Sequence, residues 1–316
     1  MTYKKKARVR IKGLTRLITS VFFTAMIFIS AVYLSDELSE YAKEGLLLSV
    51  SVIIPSVFPF LIITDFSSRY IRFERVGIFR HAFEKLFKIN GNVLSAFLCG
   101  ILCGFPVGAR LALTYYENGK ISKDECERLM AFANNASPGY VICAVGIGMR
   151  GSASDGVILY LSMVMSSIIS GVLFGLKQQK SNFQGLITEQ NYVFVNSVKS
   201  AAEVCINITG FVTVFGMLAG LCTRFIENDI LIAIILPFLE IGNAALYLSD
   251  LYILESFLTL ALTSFSISFS GVCVMCQTLA LLPCGTDISY KRCVLIKLTQ
   301  GIISFAITLL LFFLIN

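Results

Sequence analysis

The chain has 316 residues, of which 56% are hydrophobic and 15% are charged, and its mean hydropathy is +0.79. Soluble domains carry about 25% charged residues, so this composition excludes an ordinary soluble protein and predicts an integral membrane protein. The net charge of +6 arises largely from basic clusters beside apolar runs, in residues 4–16 and 69–88, which mark the cytoplasmic side of a membrane and give no nucleic-acid signature.

The chain is predicted to begin with two membrane spans, at residues 17–34 and 45–64, because each approaches the roughly 20 apolar residues that a spanning helix needs. In the segment 69–88, apolar residues recur at helical spacing among charged ones, which predicts a helix lying at the membrane surface. The apolar run 94–116 is interrupted at its centre by GFPVG. The positions of the basic loops predict that this run enters and leaves on one side, as a re-entrant hairpin.

Ser122 and Glu125 form the sequence pattern of a capping box, so a helix is predicted to start there. This helix is interrupted at NNASP, residues 134–138, and the segment 157–176 is then an uninterrupted span. The second half has further apolar runs at 201–222, 230–248, 251–282 and 288–315. Whether the run 230–248 crosses the membrane or lies flat is left open.

Aligning Gly104 with Gly271 also aligns Cys126 with Cys293, which indicates an internal repeat. The leading helices of the halves are predicted to run in opposite directions, and inverted repeats with broken helices are typical of secondary transporters. The basic turn at 291–292 would then lie outside, against the charge rule. The predicted fold class is all-α: a polytopic integral membrane protein with two inverted repeats, broken helices and re-entrant hairpins. Its predicted parts are a basic tail with the first span (1–40) and the two repeats (41–180 and 181–316).

The break at GFPVG carries the first candidate binding groups. Gly104, Pro106 and Gly108 are expected to open the helix, so that Phe105 and free amide N–H groups face a polar cavity. Arg110 follows directly, and a guanidinium beside free amides suits an anionic substrate such as a carboxylate. Alternatively, Arg110 only reaches back to the cytoplasmic interface.

Asn134, Asn135 and Ser137 offer amide and hydroxyl groups at the second break. They are predicted to bind a polar ligand, although the same groups would also satisfy backbone freed around Pro138. The complete predicted substrate-binding set is Gly104, Phe105, Pro106, Gly108, Arg110, Asn134, Asn135, Ser137, Ser270, Gly271 and Gln277.

Glu240 and Asn243 are candidates for ion coupling, because a carboxylate within an apolar segment is able to carry a proton; a structural ion pair is the alternative. No metal or cofactor is expected. Most of the ten cysteines fall in apolar runs, where they behave as small hydrophobic residues, and His81 is the single histidine. The sequence has no P-loop, GxSxG or HExxH motif, so an enzyme is not expected.

The segments GFPVGAR (Gly104 to Arg110) and FANNASP (Phe132 to Pro138) resemble the YlbJ (SpoVV) family of sporulation integral membrane proteins of endospore-forming bacteria. This family is grouped with the wider nucleoside-recognition (Gate) domain transporters. A late segment, with Gly271, Val274 and Gln277, is similar more loosely.

The resemblance implies a permease in the outer forespore membrane, derived from the mother cell, that moves dipicolinic acid out of the mother cell. Dipicolinate is a planar ring with two carboxylates, which would suit Arg110. The alternatives are transport of a nucleoside or related heterocycle, and a non-transporting spore-maturation scaffold. Expected partners are a small anionic substrate and membrane lipid, with no nucleic acid; a homo-oligomer is left open.

Overall fold

In the computed structural model, residues 32–70, 77–176, 178, 193–283 and 286–315 are described. Most of them are helical and no strand occurs among them, so the predicted all-α polytopic fold class is confirmed. The predicted span 17–34 lies almost entirely outside the described residues. The helices are α1 (Ser35–Leu48), α2 (Ile54–Tyr70), α3 (Gly77–Phe87), α4 (Leu94–Cys103), α5 (Val107–Glu117), α6 (Lys123–Phe132), the π-helical α7 (Gly139–Met149), α8 (Ala153–Gly175), α9 (Val193–Phe225), α10 (Asp229–Leu239), α11 (Ile241–Ser249), α12 (Ser256–Phe269), α13 (Gly271–Leu279) and α14 (Tyr290–Ile315).

Five helical segments within the described residues are long and apolar enough to cross a membrane. They are Ser35–Ile63, Ala153–Gly175, Phe194–Phe225, Ser256–Leu279 and Tyr290–Ile315. The first runs from α1 through the π-helical turn Ser49–Ile53 into α2. These segments correspond to five of the predicted spans, so the protein is a multi-pass membrane protein.

The segment 69–88, predicted to form a helix at the membrane surface, is helical over Gly77–Phe87 as α3. The axis of α3 makes an angle of 107° with that of the helix that follows. Ile78 and Phe79 are exposed, whereas Phe83 and Phe87 are buried. The Phe83 ring lies 5.9 Å from the ring of Phe97 in α4, so the apolar face of α3 packs on the first hairpin.

The predicted hairpin at 94–116 is confirmed as α4 and α5. Ser95 Oγ and Tyr115 Oη are 2.5 Å apart, although these residues stand near opposite ends of the segment. Gly100 and Gly108 let the two arms touch, because a Cβ on Gly100 would lie 3.1 Å from the Cα of Gly108. The chain therefore reverses at Gly104, and both ends of the hairpin lie on one side.

A second hairpin is formed by α10 and α11, where the sequence left a span or a flat helix open. Tyr247 Oη donates a 2.8 Å hydrogen bond to Asp229 Oδ1, and this joins the far ends of the two helices. The chain reverses at Glu240, which has an extended backbone (φ −152°, ψ 134°) between α10 and α11. The run 230–248 therefore does not cross as one continuous helix.

The segment α12–α13 is a broken span. Ser270 and Gly271 have positive φ values of 78° and 60°, which interrupt the helix. Ser264 Oγ lies 2.7 Å from Ser304 Oγ of α14, so α12 packs along α14. The whole segment Ser256–Leu279 is one candidate span, so the chain does not fold back at Ser270.

These contacts correct the predicted register of the repeat. Gly271 interrupts a span, so it is not the counterpart of the hairpin tip at Gly104. Each half instead has a leading helix (α1–α2; α9), a hairpin (α4–α5; α10–α11), a broken span (α6–α7; α12–α13) and a closing span (α8; α14). The offset that paired Gly104 with Gly271 therefore matched isolated identities and not equivalent elements.

The leading helices of the halves pack antiparallel, as an inverted arrangement requires. Ser49 Oγ donates a 3.0 Å hydrogen bond to Thr209 Oγ1. Near this contact, a Cβ on Gly45 would lie 3.0 Å from the Cα of Thr213, so small residues allow the backbones to approach. The predicted boundary at 40/41 falls inside α1, and that at 180/181 lies outside the described residues.

The turns that precede α6 and α14 lie side by side at one end of the bundle. Lys123 Nζ is 3.1 Å from Asp287 Oδ2, and this hydrogen-bonded ion pair holds the pKa of the exposed Asp287 carboxyl below its ordinary value. Arg292 contacts Asp124 at the same end. The basic turn at 291–292 therefore shares the side of Lys123, which removes the predicted conflict with the charge rule.

Candidate functional site

The tips of both hairpins meet the broken spans around one cavity. Its volume is about 50 Å³, which is enough for a few water molecules and far below the roughly 300–1,000 Å³ of a typical ligand pocket. One wall comes from the leading helices and is apolar. The lining residues are Ile53, Val57, Gly104, Phe105, Ala136, Ser137, Tyr140, Ile208, Val212, Glu240, Ile241, Val274 and Gln277.

The first hairpin tip packs directly on the break between α6 and α7. Gly104 has a φ of 86°, which favours glycine, and a Cβ there would lie 3.0 Å from the amide nitrogen of Ser137. Farther from the tip, a Cβ on Gly100 or Gly108 would lie 1.7 Å or 2.1 Å from the carbonyl oxygen of Ala133. Because they lack a Cβ, the predicted glycines thus let the first hairpin pack closely on the break between α6 and α7.

Arg110 is not among the residues that line the inner cavity. It lies in the first turn of α5, which begins directly after Pro106. Gly108 faces Ala133, and two residues farther along a helix correspond to a rotation of about 200°. Arg110 therefore points away from the break, and its side chain is partly exposed.

Asn134 and Asn135 connect the halves of the protein. The Nδ2 of Asn134 donates to Thr278 Oγ1 at 3.1 Å, and its Oδ1 is buried with no hydrogen-bond partner among the described residues. Asn135 Oδ1 accepts from Gln300 Nε2 at 2.7 Å, while Asn135 Nδ2 donates to the carbonyl of Phe132 at 2.8 Å. Both amides lie at the predicted break, and one oxygen stays available.

Ser137 lines the cavity and also stabilises the start of α7. Its Oγ accepts a 3.2 Å hydrogen bond from the amide of Tyr140. The predicted structural role at the kink is therefore present, together with a position at the cavity.

Glu240 places a carboxylate at the second hairpin tip. Its Oε1 accepts from the amide of Gly242 at 2.9 Å, and its Oε2 accepts from the amide and the Nδ2 of Asn243 at 2.6 and 2.8 Å. Amides at a helix N-terminus favour a negative charge. The side chain is 3% exposed, so Glu240 is a buried, hydrogen-bonded group at the cavity.

Asn243 also lines a second, larger cavity of about 530 Å³. Acidic and tyrosine residues surround this outer cavity, among them Glu44, Asp229 and Asp250. Asn243 hydrogen-bonds Glu240, which lines the inner cavity. The side chain of Asn243 therefore stands between the outer cavity and the Glu240 carboxylate. The predicted pair Glu240 and Asn243 thus lies between the two cavities.

The residues predicted from the second half are close to the same place. Gln277 lines the inner cavity, and its Nε2 has a long 3.5 Å contact with Cys273 Sγ. Gly271 packs on the second hairpin tip, since a Cβ there would lie 3.0 Å from the carbonyl oxygen of Leu239. The hydroxyl of Ser270 is buried without a hydrogen-bond partner within the described residues.

Lys297 is a buried lysine that sequence reasoning missed. Its side chain is in α14, and the residue is 4% exposed. The Nζ donates to the carbonyl oxygen of Ser268 at 3.2 Å and to Gln300 Oε1 at 3.1 Å. It also lies 5.6 Å from the ring centroid of Phe105, which lines the cavity. The available signal was a lysine and a glutamine, three residues apart, within an apolar span.

Comparison with known proteins supports the resemblance carried by the two motifs. The chain is 22% identical to the sporulation integral membrane protein YlbJ of Bacillus subtilis (strain 168), over an alignment of 346 residues covering 95% of this chain and 84% of that protein. No protein-family model matches the chain, and no solved structure is significantly similar to it. The chain is therefore a multi-pass membrane homologue of the sporulation integral membrane protein YlbJ.

Proposed function

We propose that this protein is a permease for a small organic anion, with dipicolinic acid, moved out of the mother cell across the outer forespore membrane, as the first candidate. The observation that carries the proposal is the inner cavity, where two hairpin tips and two interrupted spans meet. Interrupted helices from two oppositely directed halves are the arrangement in which secondary transporters bind their substrates. The homologue's name supports a role in sporulation.

Donors near the cavity favour an anionic substrate. The helix N-terminus of α5 follows the first hairpin tip, and such ends attract negative charge. The Nζ of Lys297 lies 5.6 Å from the ring centroid of Phe105, and Gln277 lines the cavity. A planar ring with two carboxylates would find donors on more than one side.

The size of the inner cavity implies a closed conformation. A volume of about 50 Å³ holds water but not an aromatic dicarboxylate, so substrate entry requires the lining elements to separate. This behaviour is expected of a carrier that exposes its site to one side at a time, and it does not fit an open channel.

We further infer that Glu240 couples transport to protons. Its carboxylate lines the inner cavity, and its partner Asn243 lines the acidic outer cavity. A proton that enters through the outer cavity would reach Glu240 at the position where the two cavities are closest. Ionisable groups within membrane segments commonly serve such relays.

A neutral heterocycle such as a nucleoside is the second candidate substrate. The observation that favours it is the free Oδ1 of Asn134, because an amide oxygen binds N–H or O–H groups rather than a carboxylate. A non-transporting scaffold in spore maturation is the alternative from another class. It would not require buried polar groups around a cavity.

The deciding experiment measures the flux of labelled dipicolinate into proteoliposomes, with nucleosides as competitors and protein-free vesicles as the control. We expect saturable dipicolinate uptake that nucleosides do not inhibit. Uptake of a labelled nucleoside without dipicolinate uptake would replace the anion by the neutral substrate. Absence of both fluxes from correctly folded protein would favour the scaffold.

A further inference from the structure

Lys297 has a buried amine within α14. None of the carboxylates within the described residues lies within ion-pair distance of its Nζ; its hydrogen-bond partners are a carbonyl oxygen of Ser268 and the side-chain oxygen of Gln300. An ammonium has three donors, and these two bonds use two of them. A buried charge without an opposite charge is unfavourable by several kcal/mol, so the site is incomplete as a structural element.

Phe105 connects Lys297, which does not itself line the inner cavity, to that cavity. Phe105 is at the first hairpin tip and lines the cavity, while its ring centroid lies 5.6 Å from the Nζ of Lys297. A cation beside an aromatic ring at this distance is weakly stabilised. A ligand in the cavity that displaced this ring would come within reach of the Nζ.

Two hydroxyl groups without partners belong to the segment that contacts Lys297. Ser268, whose carbonyl oxygen binds Nζ, has a buried Oγ without a hydrogen-bond partner within the described residues, and so does Ser270. Ser268 is in the last turn of α12 and Ser270 follows its end. Lys297 thus has a third donor to offer, next to a segment whose own polar groups are incompletely hydrogen-bonded.

We propose that Lys297 binds a carboxylate of the transported anion and that Phe105 covers Lys297 when no substrate is present. The inference rests on the proposed function and identifies the residue that recognises the negative charge. A carboxylate supplies the missing counter-charge, and a charge-assisted hydrogen bond away from water is strong. A neutral ligand supplies no such charge, so Lys297 gives the site its preference for anions.

The test compares purified full-length variants in detergent by calorimetric binding of dipicolinate and of uridine. Lys297→Met keeps an unbranched apolar stem and removes the ammonium. Arg110→Gln is the matched control, because it also removes one cation close to the hairpin tip but outside the cavity. We expect Lys297→Met to weaken dipicolinate binding by about tenfold or more, as loss of one charge-assisted bond implies. Arg110→Gln should change the dissociation constant by less than about twofold, as its place outside the cavity implies.

A second measurement covers the case in which Lys297→Met does not fold. Acylation of Lys297 by an amine reagent, followed by peptide mass spectrometry, reports access to its Nζ. In Phe105→Ala we expect faster acylation of Lys297 than in the unaltered protein, and protection of Lys297 by dipicolinate. Unchanged acylation in Phe105→Ala, or no protection, would overturn the proposal.

The outcomes separate this inference from the proposed function. If the unaltered protein binds dipicolinate and a folded Lys297→Met variant binds it equally well, Lys297 is not the anion-binding group and the permease proposal stands. If the unaltered protein binds no organic anion, the permease proposal fails, and the role of Lys297 fails with it.

Discussion

The side-chain oxygen of Asn135 accepts a 2.7 Å hydrogen bond from the Nε2 of Gln300, so the break in the first half is tied to the closing span of the second. Gln300 in turn accepts from Lys297. Asn135 also lies against Ser167 of α8, at 3.3 Å. Closing spans from both halves therefore converge on a single amide.

This contact predicts a measurable coupling between the halves. Replacing either Asn135 or Gln300 by Leu leaves a buried polar partner unsatisfied, which typically costs about 1–3 kcal/mol. In a double-mutant cycle the two replacements should be non-additive by about 0.5–3 kcal/mol. Denaturant unfolding in detergent measures the free energy of unfolding of each variant. The control pair is Gln300 with the exposed Asn118, for which the two changes in this free energy should be additive. Additive changes for Asn135 and Gln300 would mean that the contact does not form.

The contact of the first hairpin with the break predicts intolerance of Ala at Gly100. A methyl group there would lie 1.7 Å from the carbonyl oxygen of Ala133, so the hairpin must shift, at a cost of about 1–3 kcal/mol or more. We expect Gly100→Ala to lower the thermal midpoint and to reduce the monodisperse fraction. Gly210→Ala in α9 is the control, because no atom lies within 4 Å of its added methyl. Equal behaviour of the two variants would contradict the packing.

Glu240→Gln is predicted to affect both stability and coupling. The carboxylate accepts hydrogen bonds from the amides of Gly242 and Asn243 and from the Asn243 side chain, whereas an amide NH₂ group would face one of these donors. Stability should fall by about 1–3 kcal/mol.

Proton coupling through Glu240 gives this variant a second readout. Dipicolinate accumulation driven by an imposed pH gradient should be lost in Glu240→Gln, while exchange of dipicolinate across the membrane without a gradient should persist. Glu255→Gln, which removes an exposed carboxylate that lines neither cavity, serves as a control and should retain the response. Gradient-driven accumulation by Glu240→Gln would exclude Glu240 as the coupling group.

The arrangement of the turns predicts the membrane topology. Single cysteines introduced at Lys123 and Lys291 in a cysteine-free background should react with a membrane-impermeant maleimide only in inside-out vesicles. A cysteine at the exposed Tyr252 should react only in intact cells. Reaction of Lys123 and Lys291 cysteines from opposite sides would show that the turns before α6 and α14 do not share an end, and the register of the halves would then be wrong.

Local signals in the sequence were sufficient to predict the elements whose ends are marked by a capping residue or by a glycine–proline break. The capping box predicted at Ser122 is present, with Ser122 Oγ accepting from the amide of Glu125 and Glu125 Oε2 accepting from that of Ser122. The hairpin at Gly104 was predicted because a glycine–proline break coincided with the distribution of basic loops. Both depend on neighbours in sequence, which is why pattern alone was enough.

Relations between distant residues could not be predicted in the same way. The hairpin at Glu240 has no glycine-rich tip, and its apolar arms read as one continuous run. Lys297 and Asn135 are joined only through Gln300, and nothing in the sequence pairs positions so far apart. For Arg110, adjacency in sequence suggested a place at the site. Arg110 adjoins the hairpin tip along the chain, but the helical rotation after Gly108 turns its side chain away from the break.

The inner cavity has two unlike walls, and this difference bears on how the protein would open. Directional hydrogen bonds hold Ser137 and Glu240 on one side, and each would be lost if its neighbours moved apart. On the other side, Ile53, Val57, Ile208 and Val212 of the leading helices contribute only dispersion contacts, which are individually weak and impose little direction. If the leading helices slid along this apolar wall, the hydrogen bonds of the polar wall would stay intact. We therefore expect the cavity to open by movement of the leading helices relative to the rest of the bundle.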